Sequence, residues 1–233
     1  MMKYAIFDLD HTLLPIDSGD AWTRFIIDAT GAEQKATLLE QAEAINQGYR
    51  AGTFDPEAAV AFQMSLLTRT DRARLLQLRE QFLTSVVWPA ITPAALNLVA
   101  DRRNAGFTLI MASGTHQFVT APIAQRFGIS ILLAAKPEQD AQGLFTGRLV
   151  GSHSYREGKL TLLKSFLCEQ PHAVPYLLEA YSDSINDLPL LEFVEAQGGR
   201  AVAVNADKRL ANLAIERGWE RLELYEKEHI SPC

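Results

Sequence analysis

Two carboxylates and a hydroxyl follow directly on a short apolar run, where Tyr4-Ala5-Ile6-Phe7 leads into Asp8-Leu9-Asp10-His11-Thr12. In an extended chain residues i and i+2 face the same side, so Asp8 and Asp10 can address one substrate together. Like charges at that spacing repel unless a cation or a proton lies between them. Mg2+ suits the position, because this hard ion takes carboxylate oxygens and substrate phosphate oxygens together. A capped strand end would look the same locally. What favours chemistry is that three further groups follow in order, each after its own apolar stretch.

The first of these, Ser113-Gly114-Thr115, lies between the stretch Phe107 to Ala112 and a helical pattern. A hydroxyl and free backbone N–H groups at a helix N-terminus make a phosphate cradle, although an N-cap with a glycine turn has the same local sequence. Next comes Lys159, in Arg156-Glu157-Gly158-Lys159-Leu160, where another helix opens. A lysine there opposes the helix dipole unless an anion is close. Arg156 and Lys164 compete for the same role. The last group, Ser182-Asp183-Ser184-Ile185-Asn186-Asp187, follows the stretch ending at Tyr181. Asp183 and Asp187 are four apart, on one side of a turn that opens into a helix at Leu188. Capping would account for Asp187 by itself; metal ligation accounts more economically for a second pair of carboxylates. Asp8, Asp183 and the backbone carbonyl of Asp10 would then hold one Mg2+, with waters completing its octahedron.

Elements that could position these groups are legible in the periodicity. From about Pro15 to Val87 the pattern is helical throughout: Gly19 to Ala29, Glu33 to Gln47, a segment opened by Asp55-Pro56, and one opened by Asp71 with Leu75, Leu78, Phe82 and Leu83 on one side. From Trp88-Pro89 onward helices alternate with short apolar strands, which calls for a parallel sheet with helices on both faces. The expected strands are Tyr4 to Phe7, Phe107 to Ala112, Ile129 to Ala134, Tyr176 to Tyr181 and Ala201 to Val204. The expected helices open at Thr92-Pro93 and cover Gln117 to Phe127, Lys159 to Cys168, Leu188 to Val194 and Asp207 to Arg217. The stretch Gly143 to Gly151 alternates between glycines and reads as a small hairpin near the site. The fold class is therefore α/β, a Rossmann-like doubly wound parallel sheet built from residues 1–14 plus 91–233, with an all-helical cap inserted at 15–90 over the strand ends where ligands bind.

Composition excludes other classes. The chain has 233 residues, 48% of them hydrophobic, and a net charge of -6 with 22 basic and 28 acidic residues. That suffices for a core and supplies no basic stripe for a nucleic-acid backbone. Two cysteines, Cys168 and Cys233, give no disulfide framework. Met1-Met2-Lys3-Tyr4 carries no signal-peptide pattern, and no apolar run reaches membrane-spanning length, so a cytoplasmic location without membrane partners is expected. A monomer and a homodimer are both compatible with the sequence.

The order D-x-D-x-T, S-G, K and S-D-x-x-N-D, with a helical insertion directly after the first motif, resembles the haloacid dehalogenase superfamily, and within it the phosphoserine-phosphatase-like group with a helical cap. The resemblance implies a Mg2+-dependent phosphomonoester hydrolase acting on a small phosphorylated metabolite. Asp8 would be the nucleophile that forms an aspartyl-phosphate and Asp10 the acid/base. Ser113, the Gly114 amide and Asn186 would contact phosphate, and Lys159 would neutralise charge. Asp183 would be a metal ligand, and Asp187 a partner of the metal or its water. Relatives place an acidic residue nine positions after the nucleophile to read a substrate amine; that position is Asp17, which is equally placed to cap the first inserted helix. An alignment on Met64-Ser65-Leu66-Leu67 puts Gln63 where relatives use an arginine for the substrate carboxylate, while Arg50, Arg69 and Arg72 lie elsewhere in the insertion. The exchange favours an amine without a carboxylate, which histidinol phosphate supplies and phosphoserine does not. A phosphotransferase using the same intermediate, and a non-catalytic phosphate-binding module, are the competing classes. His11 is expected to shape the entrance, His116 to touch substrate or to be structural, and Trp22 to wall the pocket or fill the insertion's core.

Overall fold

The computed structural model describes residues 1–29, 32–51, 53–170 and 175–226. Six parallel strands run in the order β3-β2-β1-β6-β7-β8: β1 (Met2–Phe7), β2 (Thr108–Ala112), β3 (Ile131–Leu133), β6 (Tyr176–Ser182), β7 (Arg200–Val204) and β8 (Glu220–Leu222). Alternation along the strands divides the apolar residues between the two faces. Ala5, Phe7, Leu109, Met111, Val202 and Val204 join one core, and Tyr4, Ile6, Ile110, Ala112, Ala201 and Ala203 join the other. Helices α8 (Glu157–Cys168), α9 (Leu188–Ala196) and α10 (Lys208–Arg217) pack on the second face. Helices α6 (Pro93–Asn104) and α7 (Gln117–Arg126) cover the first. The expected doubly wound sheet is what forms. The chain leaves β1 toward β2 and β3 on one side and returns to β6 on the other, so the switch point lies beside the carboxyl end of β1.

Between β1 and β2 the chain is helical: α1 (Ser18–Asp28), α2 (Ala32–Ala51), α3 (Pro56–Leu66), α4 (Arg72–Phe82), a π-helical turn at Leu83–Val87, the short α5 (Trp88–Ala90), and then α6. Asp17, Asp55 and Asp71 cap α1, α3 and α4 with their carboxylates. The π turn stands immediately before Pro89, where the missing N–H interrupts the regular ladder. Trp22 is fully buried, with its ring near Phe25, Phe82 and Phe118, and the inserted helices thereby share the core of the first face.

Two short strands differ from the sequence expectation. Gly143 to Gly151 is not itself a hairpin: Phe145–Val150 is a single strand, β5, antiparallel to β4 (Lys136–Gln139), and the turn lies at Asp140 to Leu144, closed by Asp140 Oδ1 accepting from the Gln142 and Leu144 N–H groups (both 2.9 Å). The partner strand Lys-Pro-Glu-Gln carries a proline and three polar residues and so has no strand signature. β8 escapes notice for a similar reason, being a three-residue edge strand. Cys168 is an exposed free thiol, and Cys233 lies outside the described residues.

Candidate active site

Asp8 leaves the end of β1 with its N–H donating to the Tyr181 carbonyl (2.9 Å) and its side chain buried. Lys159, in the first turn of α8, reaches it from below, its Nζ lying 2.6 Å from Asp8 Oδ1 and 2.7 Å from Asp187 Oδ2. These carboxylates are the anions that make a lysine tolerable at a helix start. Burial by itself would pull the Lys159 ammonium down, but Asp187 and Asp8 overturn that and hold it above its ordinary range. Asp187 Oδ2 also accepts from Ser182 Oγ (2.7 Å), so this carboxylate is committed to the lysine. Lys164 instead places its ammonium over the Phe193 ring, and Arg156 bonds Asn186 Oδ1 through Nε (3.1 Å).

Asp10 points the other way. Its Oδ1 accepts from the Ser18 N–H (2.8 Å) and its Oδ2 from Thr115 Oγ1 (2.8 Å). Gly19 permits this junction, because a Cβ there would stand 2.7 Å from Thr115 Oγ1. Burial, then the charges of Asp17 and Asp8, push the Asp10 carboxyl up to about 7. A carboxyl that exchanges its proton near neutrality suits general acid–base work.

The loop after β2 brings Gly114 and Thr115 to the cavity wall. Nothing lies within 4 Å of where a Gly114 Cβ would be, leaving its backbone open to a ligand. Ser113 is fully buried, and its Oγ accepts from the Thr115 N–H (3.1 Å), which leaves its hydroxyl proton to donate. His116 is buried as well. Its ring packs near Phe118, its Nδ1 has no hydrogen-bond partner, and burial pushes the imidazole down to about 4, so it stays neutral.

Above these groups lies a cavity of about 480 Å³. Asp8, Asp10, Lys159, Asp183, Asn186 and Asp187 line its floor, with His11 at the same end. The inserted helices supply the opposite wall through Asp17, Asp20, Arg24, Asn46, Phe54 and Gln63, among others. Asp17 both caps α1 and lines the cavity, so the two roles foreseen for it are compatible. Trp22 is core rather than wall. Arg69 donates to Gln34 Oε1 (3.0 Å) and Arg72 lies against Gly143, both away from the cavity; the Arg50 side chain falls outside the described residues.

Whether these residues suit a divalent cation can be tested on Thr12. Its hydroxyl lies 3.0 Å from Asp8 Oδ2 and 3.2 Å from Asp183 Oδ1, while accepting from the Asp183 N–H (2.9 Å). One hydroxyl proton cannot serve both carboxylates. Burial, then the charges of Asp8 and Asp187, raise the Asp183 carboxyl well above the usual range, with Lys159 opposing them. Among the described residues no three His, Cys, Asp or Glu side chains form a metal cage. Mg2+ does not need one, since it binds through one or two carboxylates and keeps several waters. The donor set fits such an ion.

Comparison with known proteins agrees with this geometry. The sequence model of the haloacid dehalogenase-like hydrolases matches residues 5–192. The chain belongs to the haloacid dehalogenase-like hydrolase family. A histidinol-phosphatase of Neisseria meningitidis serogroup C is 34% identical to this hydrolase over 94% of the chain and 97% of its own. A phosphoserine phosphatase of Mycobacterium tuberculosis is 31% identical over 93% of this chain and 69% of its own. Among solved structures, a Bordetella pertussis protein of unknown function superposes with a TM-score of 0.88 at 35% identity, covering 97% of this chain and 100% of its own. A substrate-bound phosphoserine phosphatase shares the fold with a TM-score of 0.63 at 16% identity, covering 97% and 94%. The protein is a phosphatase of that family.

Several groups of this hydrolase's site escaped the sequence reading. Asp20 joins Arg24 Nε (2.9 Å) and Asn46 Nδ2 (2.7 Å) into one polar cluster on the cavity wall. Phe54, whose ring centroid is 4.8 Å from that of Tyr155, closes the cavity from the α2–α3 connection. A polar residue on a polar helix gives no signal of facing a cavity; only the Asp17 and Asp20 spacing, three apart at a helix start, hinted at one shared face.

Proposed function

We propose that this phosphatase hydrolyses the phosphomonoester of a small amine-bearing metabolite, histidinol phosphate first among candidates, through a phosphorylated Asp8 and with Mg2+ bound. The observation that carries the reading is the pairing of Asp8 with Lys159 at 2.6 Å beside a second carboxyl, Asp10, that burial and its neighbours push up to about 7. An Asp8 carboxylate oxygen attacks phosphorus as the bond to the leaving oxygen breaks, and Asp10 gives its proton to that oxygen. Water then attacks the aspartyl-phosphate, Asp10 takes the water's proton, and the Asp8 carboxylate is restored. Lys159 orients Asp8 and offsets charge on the transferring group, while the open Gly114 backbone and Asn186 face the phosphate oxygens. Mg2+, held by Asp8, Asp183 and the Asp10 carbonyl, would add positive charge opposite the phosphate.

In this reading the helices inserted at 15–90 act as a cap that excludes water and selects the leaving group. Arg24, the guanidinium of the cavity wall, is already matched by Asp20 at 2.9 Å and Glu43 at 3.6 Å, and Gln63 is neutral. A substrate carboxylate thus finds no unengaged cation on the described wall, whereas an amine finds Asp17. The similarity to a histidinol-phosphatase over nearly the full length of both chains supports the same choice. Phosphate release from histidinol phosphate, phosphoserine and simple alkyl phosphates with Mg2+, against Asp8→Asn as the blank, tests it. Preference for histidinol phosphate is expected; preference for phosphoserine would overturn the substrate assignment, and release that survives Asp8→Asn would overturn the mechanism.

A further inference from the structure

The loop that follows Asp8 is shaped from outside. Within it, the Leu9 carbonyl accepts from the N–H groups of Thr12 (3.3 Å), Leu13 (2.9 Å) and Leu14 (3.0 Å), and His11 sits in the left-handed region at φ 58. That conformation is unfavourable for a non-glycine residue and persists where surroundings enforce it. The tight turn leaves the carbonyls of His11, Thr12 and Leu14 facing away from their own segment, toward the end of the chain. Asn205 Nδ2 donates to the His11 (3.3 Å) and Thr12 (3.2 Å) carbonyls, and the Tyr225 hydroxyl, with one proton to donate, lies within reach of the carbonyls of His11 and Leu14, the latter at 3.1 Å.

Asn205 is built for this contact. It follows β7, is fully buried, and itself holds a left-handed φ of 45. Its N–H donates to the Leu222 carbonyl (2.8 Å) and its Oδ1 accepts from the Leu224 N–H (2.8 Å), so one side chain ties the segment after β8 to the loop after β1. Neither Asn205 nor Tyr225 lies in the span matched by the family's sequence model, which ends at residue 192.

We infer that Asn205 and Tyr225 form a clamp of positioning residues, fixing the 9–14 loop so that Asp10 and Thr12 stand correctly beside Asp8. The consequence for reactivity rests on the proposed roles of Asp8 and Asp10. Thr12 spans Asp8 and Asp183, and Asp10 depends on the same loop to meet Thr115 and Ser18, so a loop released from its carbonyl contacts loses both placements. The acid is the more sensitive, because proton delivery requires hydrogen-bond reach of the leaving oxygen.

Tyr225→Phe removes one hydroxyl from a half-buried ring and leaves the fold intact. Amide hydrogen exchange of the metal-free protein is expected to become about tenfold faster in residues 9–14, the effect of one lost hydrogen bond, with other segments unchanged. In steady state kcat should fall about tenfold for an alkyl phosphomonoester at similar KM, but less than about threefold for p-nitrophenyl phosphate, whose leaving group needs no proton. A merely structural contact would lower both rates together. Equal losses on the two esters, or unchanged exchange in residues 9–14, would overturn the clamp. Should the wild-type protein show no Asp8-dependent turnover, the proposed function falls, and the clamp as a structural device stands or falls on the exchange arm alone. Asn205→Gly, which keeps the left-handed backbone and loses the amide, should reproduce the exchange result.

Discussion

The floor and the wall of the cavity are made by different rules. On the floor, Asp8, Asp183 and Gly114 each sit in a loop after a strand, and Lys159 and Asp187 are tied into one hydrogen-bonded set with Asp8 and Ser182 at 2.6 to 2.7 Å. On the wall, Asp20, Arg24 and Asn46 project from helices as one hydrogen-bonded cluster, Gln63 projects from another helix, and Phe54 from a connection. The floor is over-determined, since each charge has a partner that also holds another group. The wall is modular at Gln63, where a helix face can exchange one side chain apart from the Asp20, Arg24 and Asn46 cluster. In the proposed function the floor would set the reaction and the wall the molecule it is applied to.

The largest expected effect lies on the floor. Asp8→Asn should lower kcat by at least about a thousandfold on every phosphomonoester, because it removes the carboxylate proposed to take the phosphoryl group. Its melting temperature should stay close to that of the wild type, since the isosteric amide keeps the packing; a large loss of melting temperature would mean that the activity loss reports unfolding. Lys159→Met comes next. It leaves Asp8 and Asp187 facing each other in a buried place, so both a kcat loss of roughly a hundredfold and a stability loss of about 3 kcal/mol are expected. Denaturant unfolding with and without Mg2+ checks the second number, and the loss should shrink when the ion is supplied.

The wall should answer differently. Gln63→Arg adds a guanidinium where phosphoserine could use it, and the ratio of kcat/KM for phosphoserine over histidinol phosphate should rise about tenfold. Hydrolysis of p-nitrophenyl phosphate should change little. A comparable loss on all three esters would erase the distinction between floor and wall.

The smallest effect on turnover belongs to His116, which lies behind the phosphate loop and bears on stability instead. Its folded pKa of about 4 lies below the ordinary 6.5, so the native state prefers the neutral ring. Stability is whole above pH 6.5 and declines as the pH falls toward 4, by about 2 kcal/mol at pH 5. Urea unfolding at pH 7.5 and pH 5 should show that decline in the wild type and a smaller one in His116→Leu.

The same contrast explains what could be read from the chain. Asp8, Lys159 and Asp183 were legible because their chemistry demands particular residue types and the sheet places each after an apolar strand. Asp20, Arg24 and Asn46 were not, because amphipathic patterning assigns polar residues on a helix to solvent and has no category for a cavity. The local sequence of Ser113 suits a phosphate ligand and a turn equally, and its Oγ accepts the Thr115 N–H of that turn while its hydroxyl proton stays available. The Gly143 to Gly151 alternation identified a strand but misplaced its partner, since glycines at both ends imitate a turn that lies outside them. Asn205 and Tyr225 gave no local signal, their contacts lying 194 and 214 residues away in the loop after β1.

The central claim is that Asp8 carries the phosphoryl group. Asp10→Asn, expected to slow attack of water on the intermediate, should be mixed with Mg2+ and p-nitrophenyl phosphate, whose leaving group needs no proton from Asp10, quenched in acid, and digested for mass spectrometry. The account predicts the added mass of one phosphoryl group on the peptide bearing Asp8 and none in the Asp8→Asn control. Turnover by the wild-type protein with no such adduct in Asp10→Asn, or an adduct on another residue, would contradict it.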